Sequence, residues 1–179
     1  MHTTTEVLIH PYQADAGRTV LHVLIAEFTS RTWTSFRGAV HFVKTSGHYT
    51  ELLSAMQMFL DGGGDVALTF GADVFGRDNP ASERSAVEEL LDEFDGHQNF
   101  RLYLYHEPGR TFHPKVYLFS NVEAQKAMLI IGSSNWSEGG FVNNVEVSVR
   151  VDLDLALPDH SRCYADVVAC MEEYWQERE

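Results

Sequence analysis

The stretch "FHPKVYLF", residues 112–119, decides how this chain is read. Val, Tyr, Leu and Phe in alternation describe a strand, yet it begins with an imidazole and an ammonium. Side chains alternate along a strand, so His113 and Lys115 project from one face. Pro114 carries no N–H and suits a strand start or edge. The pair therefore sits at the mouth of the strand. Thirteen residues on comes "GSSNWSEGGFVNNVEV", residues 132–147. Its first four residues are a small polar turn directly after the apolar strand "AMLII". Its end opens a strand that alternates from Asn144 to Val151. Val145, Val147, Val149 and Val151 point one way, and Asn144, Glu146, Ser148 and Arg150 the other. A solvated polar face is the ordinary reading of Glu146. The alternative is that His113, Lys115, Ser133, Asn135 and Glu146 converge where strands end.

The rest of the chain supplies a frame for such a site. "TEVLIH" reads as a short strand, "GRTVLHVLIAEFTS" as a helix by its apolar spacing, and "FRGAVHFVK" as a strand. "SGHYTELLSAMQMFLDGGGD" reads as a helix with Leu52, Leu53, Met56, Met58 and Phe59 on its buried face. Its glycines 62–64 end it, as turn chemistry and not as a phosphate loop. "DVALTFG" follows as a strand. "NPASERSAVEELLDEFDG" is a helix with Asn79 or Ser82 as its cap. Four strands then come with little helix between them, and Ser161 to Gln176 closes the chain as a helix. Strands alternating with helices give an α/β class with a mixed sheet.

Composition narrows the function classes. The chain has 179 residues, 44% hydrophobic, which is enough for one domain with a core spanning residues 1–179. No apolar run approaches the ~20 residues a membrane helix needs. Val20 to Phe28 is interrupted by His22 and Glu27. The N-terminus shows neither a basic leader nor a cleavage site, so a cytoplasmic protein with no membrane partner is expected. Cys163 and Cys170, seven apart on a helix, are separated by ~10 Å of rise and read as free thiols. No metal ligands flank them, and no cofactor is expected. The net charge is −13, and eight acids lie between Asp152 and Glu179. A broad basic surface of the kind nucleic-acid binders carry is absent.

The residue types at the strand mouths suit phosphoryl chemistry. An imidazole attacks phosphorus, Lys and Asn neutralise its oxygens, and a carboxylate holds the far nitrogen of the ring. With His113-Pro114-Lys115, then Gly132-Ser133-Ser134-Asn135, then Asn144-Val145-Glu146, the chain resembles the phospholipase D superfamily. It looks most similar to the nuclease branch, which includes metal-independent restriction endonucleases and small non-specific nucleases. The resemblance covers roughly Arg37 to Val149. It implies a phospholipase D-like three-layer α/β/α sandwich with a mixed central sheet.

The same resemblance implies a two-step reaction. One His forms a phosphohistidine and a second His protonates the leaving oxygen. This chain has one His-x-Lys motif, so the second would come from a twin in a homodimer. His113 is then nucleophile or acid, Lys115 and Asn135 hold phosphate, Ser133 is a supporting donor, and Glu146 orients His113. The family's Asp after the motif is replaced by Ser120, which makes a lipid substrate less fitting. Around this set, Arg110 is either a substrate contact or loop decoration. Trp136 either stacks on a base or packs, and Asn144 is a further candidate. His48, His97 and His106 are read as structural or exposed, and His160 as a cap-region residue.

The expected function is a metal-independent phosphodiesterase acting on DNA, with a restriction or defence role and an added DNA-recognition domain or subunit implied by resemblance only. The alternatives are a silent module of the same fold that dimerises or binds nucleic acid, and a lipid phosphodiesterase. The charge carries a prediction of its own. Few phosphate contacts give a shallow dependence of binding on salt, and long-range repulsion fades beyond about 8 Å at physiological strength. Titration against duplex and single-stranded DNA at two salt concentrations should show weak binding without sequence preference. Nanomolar, sequence-specific binding at physiological salt contradicts it.

Overall fold

The computed structural model describes residues 4–44, 50–72 and 82–176. His48 and Asn79 lie outside the described residues. The elements are β1 (Thr5–His10), α1 (Val20–Thr29), β2 (Ser35–Val40), α2 (Thr50–Asp61), β3 (Asp65–Gly71), α3 (Arg84–Glu93), β4 (Phe100–Tyr105), β5 (Lys115–Asn121), β6 (Lys126–Gly132), β7 (Glu146–Asp154) and α4 (Pro158–Glu173). A single π-helical turn, Gly139–Asn143, precedes β7. All seven strands form one sheet in the order β1-β7-β6-β5-β2-β3-β4.

The two halves of the sheet are built differently. Strands β2, β3 and β4 run parallel, because α2 and α3 carry the chain back between them. Strands β5, β6 and β7 follow one another with no α-helix between them and run antiparallel, with β1 antiparallel on the outer edge. The halves meet where β5 pairs antiparallel with β2. This is the mixed sheet expected of the sequence.

One consequence places the site. Register pairs His10↔Glu146, Gly132↔Ser148, Val116↔Ile131, Val40↔Lys115 and Val40↔Phe70 follow one another across the sheet. The ends of β1, β2, β3 and β6 and the starts of β5 and β7 therefore share one edge.

Helices cover both faces. Helices α1, α2 and α3 pack on one through Val20, Val23, Leu24, Phe28, Leu52, Met56, Phe59, Val87 and Leu90. These recur three and four apart, the period of a helix face. Phe28 is the hub, meeting the rings of Phe36, Phe59 and Phe119 edge-on at 4.7, 5.5 and 4.9 Å. Helix α4 packs on the other face, with Met171, Tyr164, Val167, Val168 and Tyr174 against Phe112, Leu118, Leu129 and Leu153. Among the described residues no helix is long and apolar enough to cross a membrane.

Several sequence expectations need correction. Met58 is 62% exposed, because it lies a third of a turn away from the Met56–Phe59 stripe. Ser82 does not cap α3. Its hydroxyl donates to the Gly71 carbonyl at 2.9 Å and accepts from Val43 N–H at 3.4 Å, and Glu83 occupies the cap position. Helix α4 starts at Pro158, where a missing N–H costs nothing. His160 thus lies inside its first turn, and its Nδ1 accepts the Asp154 N–H at 3.0 Å.

Packing settles which face of β7 is inside. Glu146 and Ser148 are 8% and 2% exposed, while Val145, Val147 and Val149 are 65%, 49% and 37% exposed. The polar side faces the layer of α1 to α3, and the valines face out. Helix α4 covers only the Leu153 end of that outer face. Val7 and Ile131, both paired with Val149, extend the uncovered apolar stripe across three strands.

Phe28 gives a direct check on the core. Phe28→Ala removes a fully enclosed ring, and its loss should cost roughly 3–5 kcal/mol. Urea denaturation of the purified variant measures this, and a change below about 1 kcal/mol contradicts the hub role.

Candidate active site

The site forms where β5 begins. His113 is exposed and Lys115 is buried. The Lys115 Nζ stands 3.1 Å from both ring nitrogens of His113 and donates to the His113 carbonyl at 3.3 Å. Equal distances to both nitrogens put the ammonium out of line with either lone pair. Phe112, next to His113 in the chain, anchors the segment by stacking on Tyr105 at 4.7 Å and meeting Tyr174 edge-on at 4.9 Å.

Burial shapes the electrostatics. Desolvation lowers the Lys115 pKa from its ordinary value, and the nearby Glu146 carboxylate opposes that shift. Burial and the same carboxylate raise the Tyr117 phenol well above its ordinary value. Tyr117 is thus a neutral donor, and its hydroxyl donates to the Ser134 carbonyl at 2.8 Å. That bond fixes the "GSSN" turn against β5.

The turn is held from three sides. Ser133 Oγ donates to the Val147 carbonyl at 3.3 Å and accepts the Val147 N–H at 3.1 Å. Its hydroxyl therefore extends the β6–β7 ladder. Gly132 is required: a Cβ there would lie 2.0 Å from Ser148 Oγ and 2.5 Å from Ser148 Cα. Asn135 is half-buried, and its Oδ1 is buried with no hydrogen-bond partner among the described residues. Lys44 N–H donates to the Trp136 carbonyl at 3.0 Å, tying the turn to the chain beyond β2.

Asn144 joins this cluster through Glu146. Its Nδ2 donates to Glu146 Oε1 at 3.1 Å, and its carbonyl accepts from His10 Nδ1 at 2.8 Å. Among the described residues Glu146 makes no hydrogen bond to His113. Its charge is directed at Lys115 and Tyr117 instead.

Other expected residues lie elsewhere. Trp136 is fully buried against Phe70, Tyr117 and Phe141. No ring face is left for a base, which corrects the stacking reading in favour of packing. Arg110 is exposed on a loop and pairs with Glu107 at 3.1 Å. Ser120 is five residues beyond Lys115, ~16 Å along an extended strand. It faces α4, where its Oγ accepts from Tyr164 at 3.4 Å. His97 is structural, 2.7 Å from Gln57 Nε2. Cys163 and Cys170 are free and exposed.

Two imidazoles escaped the sequence reading. His41 follows β2, and its ring lies 4.6 Å from that of His113. His10 ends β1 opposite Glu146. Neither has a local motif, and only strand pairing brings them here.

Comparison with known proteins shows the family and the fold. Residues 36–165, well over half of the chain, match the family described as "Cardiolipin synthase, PLD-like domain". Among solved structures, NucT from Helicobacter pylori superposes with a TM-score of 0.67 at 16% identity, covering 97% of this chain and 96% of that one. Nuc from Salmonella typhimurium, a phospholipase D family member, gives 0.64 at 16% identity over 97% and 95%. Phosphatidylserine synthase from Haemophilus influenzae gives 0.65 at 10% identity over 98% of this chain and 39% of that one. No curated protein sequence matches the chain.

Gly132→Ala tests how the turn is held. The added Cβ must displace the Ser148 backbone, an overpacking cost of ~1–3 kcal/mol. Urea denaturation reads the loss, and unchanged stability contradicts the close approach of β6 and β7.

Proposed function

The chain belongs to the phospholipase D-like family, and from that premise we propose that it is a metal-independent phosphodiesterase, a DNA endonuclease whose site is shared by two copies. The observation that carries the reading is the His113–Lys115 pair at a sheet edge, with Lys115 buried beside Glu146. A desolvated ammonium is an effective partner for a phosphate oxygen, because little water competes for it.

In the reaction, one ring nitrogen of His113 attacks phosphorus. A P–N bond forms and the P–O bond to the leaving strand breaks. The leaving oxygen takes its proton from the imidazole of a second copy. Water then attacks phosphorus, that imidazole takes a proton from the water, and the P–N bond breaks to free His113. Lys115 and Asn135 hold the phosphate oxygens, Asn144 sets Glu146, and Ser133 holds the turn. Since Glu146 faces Lys115 and not the His113 of its own chain, the ring it orients is the one delivered by the second copy.

The apolar stripe of Val7, Ile131, Val145, Val147 and Val149 beside the site supports a homodimer. Exposed apolar surface of this kind favours association, and a two-fold contact would use the same patch on both copies. NucT and Nuc align over 96% and 95% of their own length, against 39% for phosphatidylserine synthase, and Ser120 in place of the family's Asp makes a lipid substrate less fitting. A cytoplasmic restriction or defence setting, with a further DNA-recognition domain or subunit, fits the weak binding expected of this surface. Arg110, exposed at the rim, is a candidate contact to the strand backbone.

Plasmid nicking in excess EDTA is the test. Cutting should persist with chelator, and His113→Ala should abolish it without altering circular dichroism. Glu146→Gln should lower the rate by roughly 10²–10⁴, since an amide cannot stabilise an imidazolium. A strict Mg²⁺ requirement, or sedimentation as a monomer at micromolar concentration, overturns the reading.

A further inference from the structure

The segment that leads to His113 has no regular structure. Residues 106–114 join β4 to β5 as a loop. Gly109, at φ +80°, turns the chain there, and the Arg110 N–H donates to the Glu107 carbonyl at 3.2 Å. The neck of this loop is closed by rings. Tyr105, the last residue of β4, stacks on Phe112 at 4.7 Å and 26°. Tyr174 meets both edge-on, Phe112 at 4.9 Å and Tyr105 at 5.7 Å. Phe112 is thereby buried one residue before the exposed His113. Tyr174 and Trp175 form the turn that ends α4, their N–H groups donating to the Met171 and Glu172 carbonyls at 3.1 Å. That turn is fixed to three strands. The Trp175 indole stacks on Tyr103 at 4.9 Å, lies 5.0 Å under the Arg37 guanidinium and donates to Thr69 Oγ1 at 3.1 Å. Arg37 also pairs with Glu172 at 2.9 Å.

We infer that Tyr174 is a positioning residue of this site: it completes the socket for Phe112, closes the neck of the 106–111 loop and so holds His113 where β5 begins. This rests on His113 being the reacting imidazole. Pairing with β2 fixes Lys115 through the sheet. Among the described residues, that pairing ends at the Pro114 carbonyl, which accepts the His41 N–H at 2.9 Å, and stops short of His113. The anchor on the other side of His113 is Phe112. An aromatic edge set on an aromatic face fixes a direction as well as burying area, and three rings in mutual contact fix one another. The Tyr174 hydroxyl lies 3.0 Å from Cys170 Sγ on α4. The polar end of the phenol is thus turned back to its own helix, and the ring is what Phe112 meets. The same neck reaches the rim of the site. The Tyr105 hydroxyl donates to the Glu107 carboxylate, which pairs with Arg110 at 3.1 Å. A small displacement of an attacking group is costly in rate, so what holds Phe112 acts on the chemistry through His113.

Substitution separates an aromatic anchor from general stability. On bis(p-nitrophenyl) phosphate, Tyr174→Phe should keep near wild-type kcat, while Tyr174→Ala should lose roughly tenfold or more with KM changed less than about twofold. Leu153→Ala removes a buried side chain from the same core, at the end of β7 opposite the site, and should lower stability without lowering kcat. Tyr174→Leu keeps apolar bulk without a flat ring. It should fall between Phe and Ala, and it reads the role where Tyr174→Ala does not fold. Amide exchange by NMR needs no turnover. The His41 N–H, bonded to the Pro114 carbonyl, should exchange at least about tenfold faster in Tyr174→Ala, while the Leu118 N–H in mid-β5 changes much less. Wild-type kcat in Tyr174→Ala, an equal loss of kcat in Leu153→Ala, or His41 exchange that only follows Leu118 overturns the positioning role. A wild-type chain inactive on phosphodiesters sinks the nuclease reading, and the exchange of His41 against Leu118 then decides whether Tyr174 anchors the segment.

Discussion

The register of β5 is the constraint on which the rest depends. It is the middle strand of seven, bonded to β2 on one side and β6 on the other. Tyr117 and Phe119 bury into one core, and Leu118 into the other. A shift of one residue would exchange those sets and put Val116 where Lys115 stands. The two cores thus fix the position of His113 and Lys115 before any polar contact is made. The junction with β2 matters equally. It sets Lys115 opposite Val40 and carries His41 to Pro114.

That apolar register forces a polar cost. Lys115 and Glu146 are both turned inward, on the side of α1 to α3, and lose hydration there. Burying charge is expensive unless it is compensated. Compensation comes from the two charges themselves, from the Asn144 amide on Glu146, and from the His113 groups around the ammonium. Tyr117 joins as a neutral phenol and ties the same strand to the turn bearing Asn135. The arrangement is the one a phosphate binder needs, with a partly dehydrated cation and polar groups fixed in advance.

Charge is also segregated along the sheet. Asp152 and Asp154 stand at the end of β7 opposite the site, and Glu172 lies on α4 paired with Arg37 at 2.9 Å. The net charge of −13 is therefore not spread evenly over the reacting edge, where His10, His41, His113, Lys44 and Lys115 gather. A polyanion meets repulsion at range and attraction only at close approach, within a screening length.

Local pattern alone established much of this protein. Alternation in "KVYLF" and "KAMLIIG", helical spacing in "TVLHVLIAEF" and the order of His113, Lys115, Gly132, Asn135 and Glu146 were enough to read an α/β fold and its family, because these depend on near neighbours in the chain. Local pattern left open which face of a strand is inside. On β7 the valines face out, and Glu146, which its motif placed in the site, is turned inward. Which side of a strand is inside depends on what packs there, and α4 is too short a cover to claim the valines. The placements of Trp136 and Ser120 were likewise beyond the sequence, since burial and strand end are set by neighbours far along the chain. His10 and His41 lie 103 and 72 residues before His113. Only the pairing of β1 with β7 and of β2 with β5 brings them to one edge, so their part in the site belongs to the tertiary structure.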